Sequence, residues 1–193
     1  MNFSEWYRWE DYTKIPEIKL PGVYVIAITE KGYPAQPFPN SEGIVYIGMT
    51  NAKGGLKQRL TQFDNTIDFK NKSGVGHGGA DRLSHAYEKR DYEFLKKNMY
   101  VSVCTIKCNT VTPAYYDYRM MGKIAKLEYD CFAEYYRIHD NLPEFNRRSS
   151  PKRSHVTEKQ TPEKKSIQQN LTIPQNNNIV PHHARRTSFP GNA

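Results

Sequence analysis

The runs Gly22-Val23-Tyr24-Val25-Ile26-Ala27-Ile28 and Ile44-Val45-Tyr46-Ile47-Gly48 decide the architecture of this chain. Their β-branched and aromatic content reads as two mostly buried strands. Between them, Lys31-Gly32-Tyr33-Pro34 and Pro37-Phe38-Pro39-Asn40 are turn and breaker sequence, which predicts an antiparallel hairpin with a long tip. Pairing the runs brings Tyr24 and Tyr46 close together on one sheet face. A buried tyrosine wants a partner for its hydroxyl, so two phenols set beside glycine-bearing strand ends suggest more than packing.

Working outward, Gly54-Gly55 leads into Leu56-Lys57-Gln58-Arg59-Leu60-Thr61-Gln62-Phe63, where Leu56, Leu60 and Phe63 recur at helical spacing and Arg59 leaves the helix beside its apolar edge. A glycine-rich turn, Ser73-Gly74-Val75-Gly76-His77-Gly78-Gly79, precedes a helix over residues 80–90, and residues 99–106 read as a third strand. At the N-terminus, Ser4 caps a short amphipathic helix over residues 4–13, with Trp6 and Trp9 as core anchors at helical spacing. The longest helix covers residues 119–139. At about 100° per residue, Met121, Ile124, Cys131, Phe132 and Tyr135 fall within about 60° of Glu128, which places a carboxylate in the middle of an apolar stripe. An ionised carboxylate buried there needs a cation, a proton or a strong donor. A buried salt bridge to an arginine, or a stripe edge open to solvent, would also satisfy it. The elements add up to an α+β, sandwich-like fold with a small central antiparallel three-stranded sheet flanked by helices.

The chain has 193 residues, 37% of them hydrophobic, and a mean hydropathy of −0.80, low for a fully packed domain of this length. Residues 147–193 are rich in Ser, Gln, Asn, Pro, Lys and Arg, which predicts a disordered, low-complexity tail and a boundary just after Asn146. The expected organisation is a helical extension over 1–20, a domain over 21–146 and the tail over 147–193. Of the net charge of +8, the tail holds nine Lys or Arg against two acids, and the rest of the chain 19 against 18. A basic tail is an electrostatic footprint for a polyanion, or simply a solvated tail that aids solubility. Within the domain, Lys53, Lys57, Arg59, Lys70, Lys72, Arg82, Lys89, Arg90, Lys96 and Lys97 crowd one part of the sequence, an excess able to follow a phosphate backbone. Three cysteines without a CxxC pair argue against a zinc site and for reduced thiols. With no apolar run of membrane-spanning length and no leader-like N-terminus, the expectation is a cytoplasmic protein with no membrane partner, nucleoid-associated in a bacterial or phage setting.

The ordered set Gly22-Val23-Tyr24, Tyr46-Ile47-Gly48, Gly54-Gly55-Leu56, Arg59, Glu128 and Pro143-Glu144-Phe145-Asn146 resembles the GIY-YIG nuclease family, over roughly residues 21–146. The resemblance implies a GIY-YIG type sheet and a DNA endonuclease, restriction-like or of the phage and mobile-element type. It implies that Glu128 holds a single Mg²⁺ or Mn²⁺, a hard ion that takes oxygen ligands and keeps several waters. Arg59 would grip the scissile phosphate with its fixed fork of donors. Tyr24 and Tyr46 would orient the attacking water, Gly48 would close the second signature, and Asn146 would tie the C-terminal segment back to the site by amide hydrogen bonds.

The chain departs from the family pattern at Phe63, where many members carry a tyrosine or histidine, and at Met49, where many carry a lysine. Lys53 or Lys57 would restore the charge. His77 is the better candidate for the missing titratable group, because its glycine-rich turn and the following helix N-terminus favour an approaching anion. His85 shares a helix with Arg82 at a three-residue spacing; as surface groups both have bland readings, one an idle histidine and the other a partner for an acid. The departures also admit a second class of function, a nucleic-acid-binding module that kept the scaffold and lost turnover. The oligomeric state is open; a single site that cuts both strands needs a dimer or two encounters.

Overall fold

The computed structural model describes residues 1–68, 76–87 and 92–147. The tail assigned to 147–193 therefore lies, from residue 148 on, outside the described residues, as do Lys70, Lys72, Lys89 and Arg90.

The two tyrosine-bearing runs form the central hairpin, β2 (Gly22–Ile28) beside β3 (Ile44–Thr50). They pair antiparallel, with Tyr24 opposite Gly48 and Ile26 opposite Tyr46, so the two tyrosines are diagonal neighbours on one face. An irregularity between Ile26 and Ala27 leaves Val45 as an extra residue, and Val45 and Tyr46 consequently pack into the same layer. On the other side of β2 lies β4 (Met99–Thr105), also antiparallel.

Among the described residues the sheet has four strands where the sequence predicts three. The fourth is β1 (Tyr7–Arg8), which pairs with Val101 and Tyr100 at the outer edge of β4, giving the order β1-β4-β2-β3. This overturns the N-terminal amphipathic helix. Ser4 does not cap a helix; its N–H donates to Val103 O at 2.8 Å, its Oγ accepts from Val103 N–H at 3.1 Å, and its carbonyl accepts from Ser102 Oγ at 2.7 Å. Pairing with a strand end about a hundred residues away outweighs the weak local helix preference. A 3-10 turn, Trp9–Lys14, follows β1. Both tryptophans reach the core, but on opposite sides of the sheet.

One face of the sheet is covered by α1 (Gly55–Ile67), α2 (Gly78–Ala86), α3 (Tyr92–Asn98) and the Trp9 turn, through Leu56, Leu60, Phe63, Leu83 and Leu95. The other is covered by α4 (Tyr115–His139), through Ile124, Leu127, Cys131 and Tyr135. α4 begins four residues before the predicted start because Asp117 accepts from Asn109 N–H at 2.7 Å and Ala114 N–H at 2.9 Å, fixing a turn ahead of the apolar stripe. Met120, not Met121, is the buried methionine of that helix. The cysteines are free thiols. No helix among the described residues is long and apolar enough to cross a membrane.

β3 is the open edge of the sheet, and both helical layers meet there. Its outward-facing backbone groups need partners. Asn146, in the 3-10 turn Glu144–Asn146, supplies them: Ile47 N–H donates to its Oδ1 at 2.8 Å, and its Nδ2 donates to Ile47 O at 2.7 Å.

Candidate functional site

The site lies along this edge, and each of its groups is delivered by a different element. α1 starts at Gly55, whose φ of +58° favours glycine and whose missing Cβ would collide with Lys19 O. That tight start lets Leu56 N–H donate to Leu20 O at 2.9 Å and Lys57 N–H to Ile18 O at 2.7 Å, so the helix is capped by backbone rather than by a side chain. Arg59 follows within the first turns, half-buried beside the tyrosines. Its Nε is buried without a hydrogen-bond partner, its Nη1 donates to Gln62 Oε1 at 3.5 Å, and the guanidinium is also a hydrogen-bond donor to the Tyr24 phenol. Among the described residues neither Arg59 nor Glu128 is in an ion pair.

Tyr24 is fully buried, and its ring centroid is 5.9 Å from that of Tyr46. Two glycines make room for the pair. A Cβ on Gly48 would stand 2.7 Å from Tyr24 Oη and 2.8 Å from Tyr46 Cε1, and a Cβ on Gly79 would collide with the Tyr46 ring. Gly48 is thus a packing requirement of the phenols. Gly79 plays the same part for Tyr46 from α2, and only the glycine-rich turn hints at it in sequence.

His77 enters from the far end of that turn. Its Nε2 is 2.7 Å from Tyr24 Oη, and its ring lies 4.8 Å from the Phe63 ring, centroid to centroid. The imidazole therefore brings a titratable ring against Phe63 of α1, which has none. Its Nδ1 accepts from Gly79 N–H at 3.2 Å and Ala80 N–H at 3.3 Å, so His77 is the N-cap of α2. Its own N–H donates to Thr66 Oγ1 at 3.1 Å.

Burial dominates the electrostatics. It pushes the Tyr24 phenol well above its ordinary value, with the Tyr46 phenol adding to the shift and the Arg59 charge opposing it. Tyr46 is raised for the same first reason, against the pull of Arg59 and a hydrogen bond with Tyr24. His77 is lowered to about 3, first by burial and then by the Arg59 charge. Glu128 is raised by burial, opposed by Arg59 and by a hydrogen bond from Met49 N–H. Met49 and Ile47 present their backbone groups to the same outer edge of β3. Glu128, though carried by the layer opposite the tyrosines, therefore lies at the strand edge, where its charge raises Tyr46 and interacts with that of Arg59.

The remaining sequence candidates separate. Arg82 is tied into the scaffold: its Nη1 donates to Gly78 O at 3.3 Å and to Phe145 O at 3.4 Å, joining α2 to the turn that carries Asn146. Lys53 and Lys57 are exposed near the start of α1. His85 is partly buried, with Nδ1 lacking a partner. Asn51, not singled out in the sequence, follows β3; its Nδ2 donates to Met121 O at 3.3 Å, while its Oδ1 is buried and unpartnered.

For a hard divalent cation the protein side of the shell is thin. Among the described residues no group of three or more His, Cys, Asp or Glu converges. A partly desolvated carboxylate without a cationic partner still has the chemistry to take such an ion, with water and a substrate phosphate completing the shell.

Comparisons with protein-family models, with curated proteins and with solved structures find no match.

Proposed function

We propose that this chain is a metal-dependent DNA endonuclease of the GIY-YIG type, hydrolysing phosphodiester bonds with one divalent ion per site. The carrying observation is the meeting of a buried and a partly buried phenol that are hydrogen-bonded to each other, an arginine without an anionic partner and a half-buried carboxylate at one strand edge. Arg59 and Glu128 have no counter-charge in an ion pair among the described residues, and a phosphodiester with its metal would supply one to each. Arg59 binds a non-bridging phosphate oxygen. Tyr24 and Tyr46 orient a water opposite the departing oxygen; the water oxygen bonds to phosphorus, the P–O3′ bond breaks, and the products are a 3′-hydroxyl and a 5′-phosphate. Glu128 would hold the Mg²⁺ or Mn²⁺ ion, which when bound would supply Lewis-acid relief of the charge that develops on the leaving oxygen.

A second reading has its own support. Both phenols are held protonated by burial and Phe63 cannot move a proton, which suits a module that binds nucleic acid without turning it over. The test is supercoiled plasmid with Mg²⁺ or Mn²⁺, wild type beside Glu128→Gln, with binding measured in parallel. Metal-dependent nicking that falls by a factor of about a hundred or more in the variant, with binding retained, supports the enzyme. Intact plasmid with equal binding in both supports the module and sinks the nuclease.

A further inference from the structure

His77 is placed to act on Tyr24 in one way only. An imidazole nitrogen that accepts hydrogen bonds carries no proton, and Nδ1 accepts from two backbone N–H groups at the N-terminus of α2. A proton on that nitrogen would face two donors and the positive end of a helix. The neutral ring therefore carries its proton on Nε2, and Nε2–H is the donor in the 2.7 Å contact with Tyr24 Oη. A phenol oxygen that receives a hydrogen bond from one side must send its own O–H elsewhere, and here that O–H goes to Tyr46, while Arg59 adds a second donor to the Tyr24 oxygen. The ring is enclosed by Tyr24 of β2, Tyr46 of β3, and Phe63 and Arg59 of α1, with Thr66 on its backbone N–H. None of these offers the carboxylate that would favour a second proton on the ring.

We propose that His77 is a positioning residue: a neutral imidazole locked by the start of α2 as an Nε2–H donor, which fixes the Tyr24 hydroxyl so that its proton is turned to Tyr46, the less buried phenol of the pair, and Tyr46 in turn is held toward the reacting water. This role deepens the nuclease reading and rests on it. It also reverses the part suggested by sequence, since a ring whose Nδ1 is spent on a helix cap cannot serve as the proton acceptor that Phe63 fails to supply. If Tyr24 loses its proton during turnover, the same Nε2–H stabilises the phenolate. His77 thus compensates for Phe63 across space, as a donor to the tyrosine and not as a base.

Long-range ¹H–¹⁵N spectra of the full chain, recorded without DNA or metal between about pH 5 and 8, read the tautomer directly. The expected result is a single neutral Nε2–H imidazole for His77 that does not titrate over that range. A ring that titrates there, or one protonated on Nδ1, overturns the proposal. The companion variant is His77→Asn, because asparagine also caps a helix and preserves the start of α2 while failing to reach Tyr24. It should fold with wild-type circular dichroism. Its cleavage rate should drop on the order of tenfold to a hundredfold, with the alkaline limb of the pH–rate profile moved to higher pH as Tyr24 loses its donor. An unchanged rate and profile in a folded variant would also overturn the proposal. Absence of cleavage by the wild type defeats the nuclease reading alone, and the tautomer, read without DNA, then decides the state of His77 by itself.

Discussion

At the scale of single residues, the proposed site is a set of groups held in states that water would not choose. Glu128 shows the consequence most directly. Its carboxyl is raised by burial, with Arg59 and the Met49 N–H only partly opposing the shift. A carboxyl whose folded pKa exceeds its unfolded value binds protons more readily in the folded chain, so stability declines as pH rises through that interval. The penalty is absent below the unfolded carboxylate range and fully present at neutral pH. Glu128→Gln removes the charge while keeping shape, and should raise the melting temperature of the metal-free protein by roughly 1–3 °C at pH 7. Near pH 4 the gain should vanish. Thermal unfolding at the two pH values checks this, and a variant less stable than wild type at pH 7 would mean the carboxylate is satisfied within the protein. Millimolar Mn²⁺ should reverse the order at neutral pH by stabilising the wild type alone, as a ligand that binds only the folded carboxylate does.

At the scale of elements, the edge of β3 decides whether the site exists. An edge strand offers unpaired backbone groups, and Asn146 covers those of Ile47 in both directions at once. Its turn is held in place by Arg82, whose guanidinium donates to Phe145 O. Asn146→Ala strips both amide bonds and should cost roughly 1–3 kcal/mol of unfolding free energy by urea titration. Tyr46 and Gly48 flank the released residue, so activity should fall by more than the loss of folded protein explains; a variant that loses stability in step with activity would limit Asn146 to scaffolding. The hairpin, the helix of Arg59 and the stripe around Glu128 were legible in the sequence because each follows from the local periodicity of one segment. β1 was not, since Ser4 and Tyr7–Arg8 take their conformation from β4, remote in sequence. The early start of α4 depends on Asp117 reaching back to two backbone N–H groups, a signal outside the apolar pattern. The contact between His77 and Tyr24 spans 53 positions, and the clearance that Gly79 gives Tyr46 depends on how α2 docks; neither can be read from spacing.

At the scale of the whole molecule, charge and site are separated along the chain. Up to Asn146 the sequence is nearly balanced, 19 basic against 18 acidic residues, while residues 147–193 hold nine against two. A nearly neutral domain gains little from long-range attraction to a phosphate backbone, whereas each cation that neutralises a phosphate releases a counterion and steepens the dependence of affinity on salt. If the tail supplies that attraction, replacing Lys152, Arg153, Lys159, Lys164, Lys165, Arg185 and Arg186 by glutamine in the 193-residue chain should flatten the slope of log affinity against log salt. The expected change is about 0.9 for each phosphate that is no longer neutralised, so a tail using half of these residues shifts the slope by roughly 3. Cleavage at saturating DNA should be unchanged, because the proposed chemistry falls to Tyr24, Tyr46, Arg59 and Glu128. A slope that does not move assigns the tail's charge to solubility and returns DNA affinity to the exposed Lys53 and Lys57 beside Arg59. A fall in the saturated rate would instead mean that the tail helps hold the scissile phosphate against Arg59.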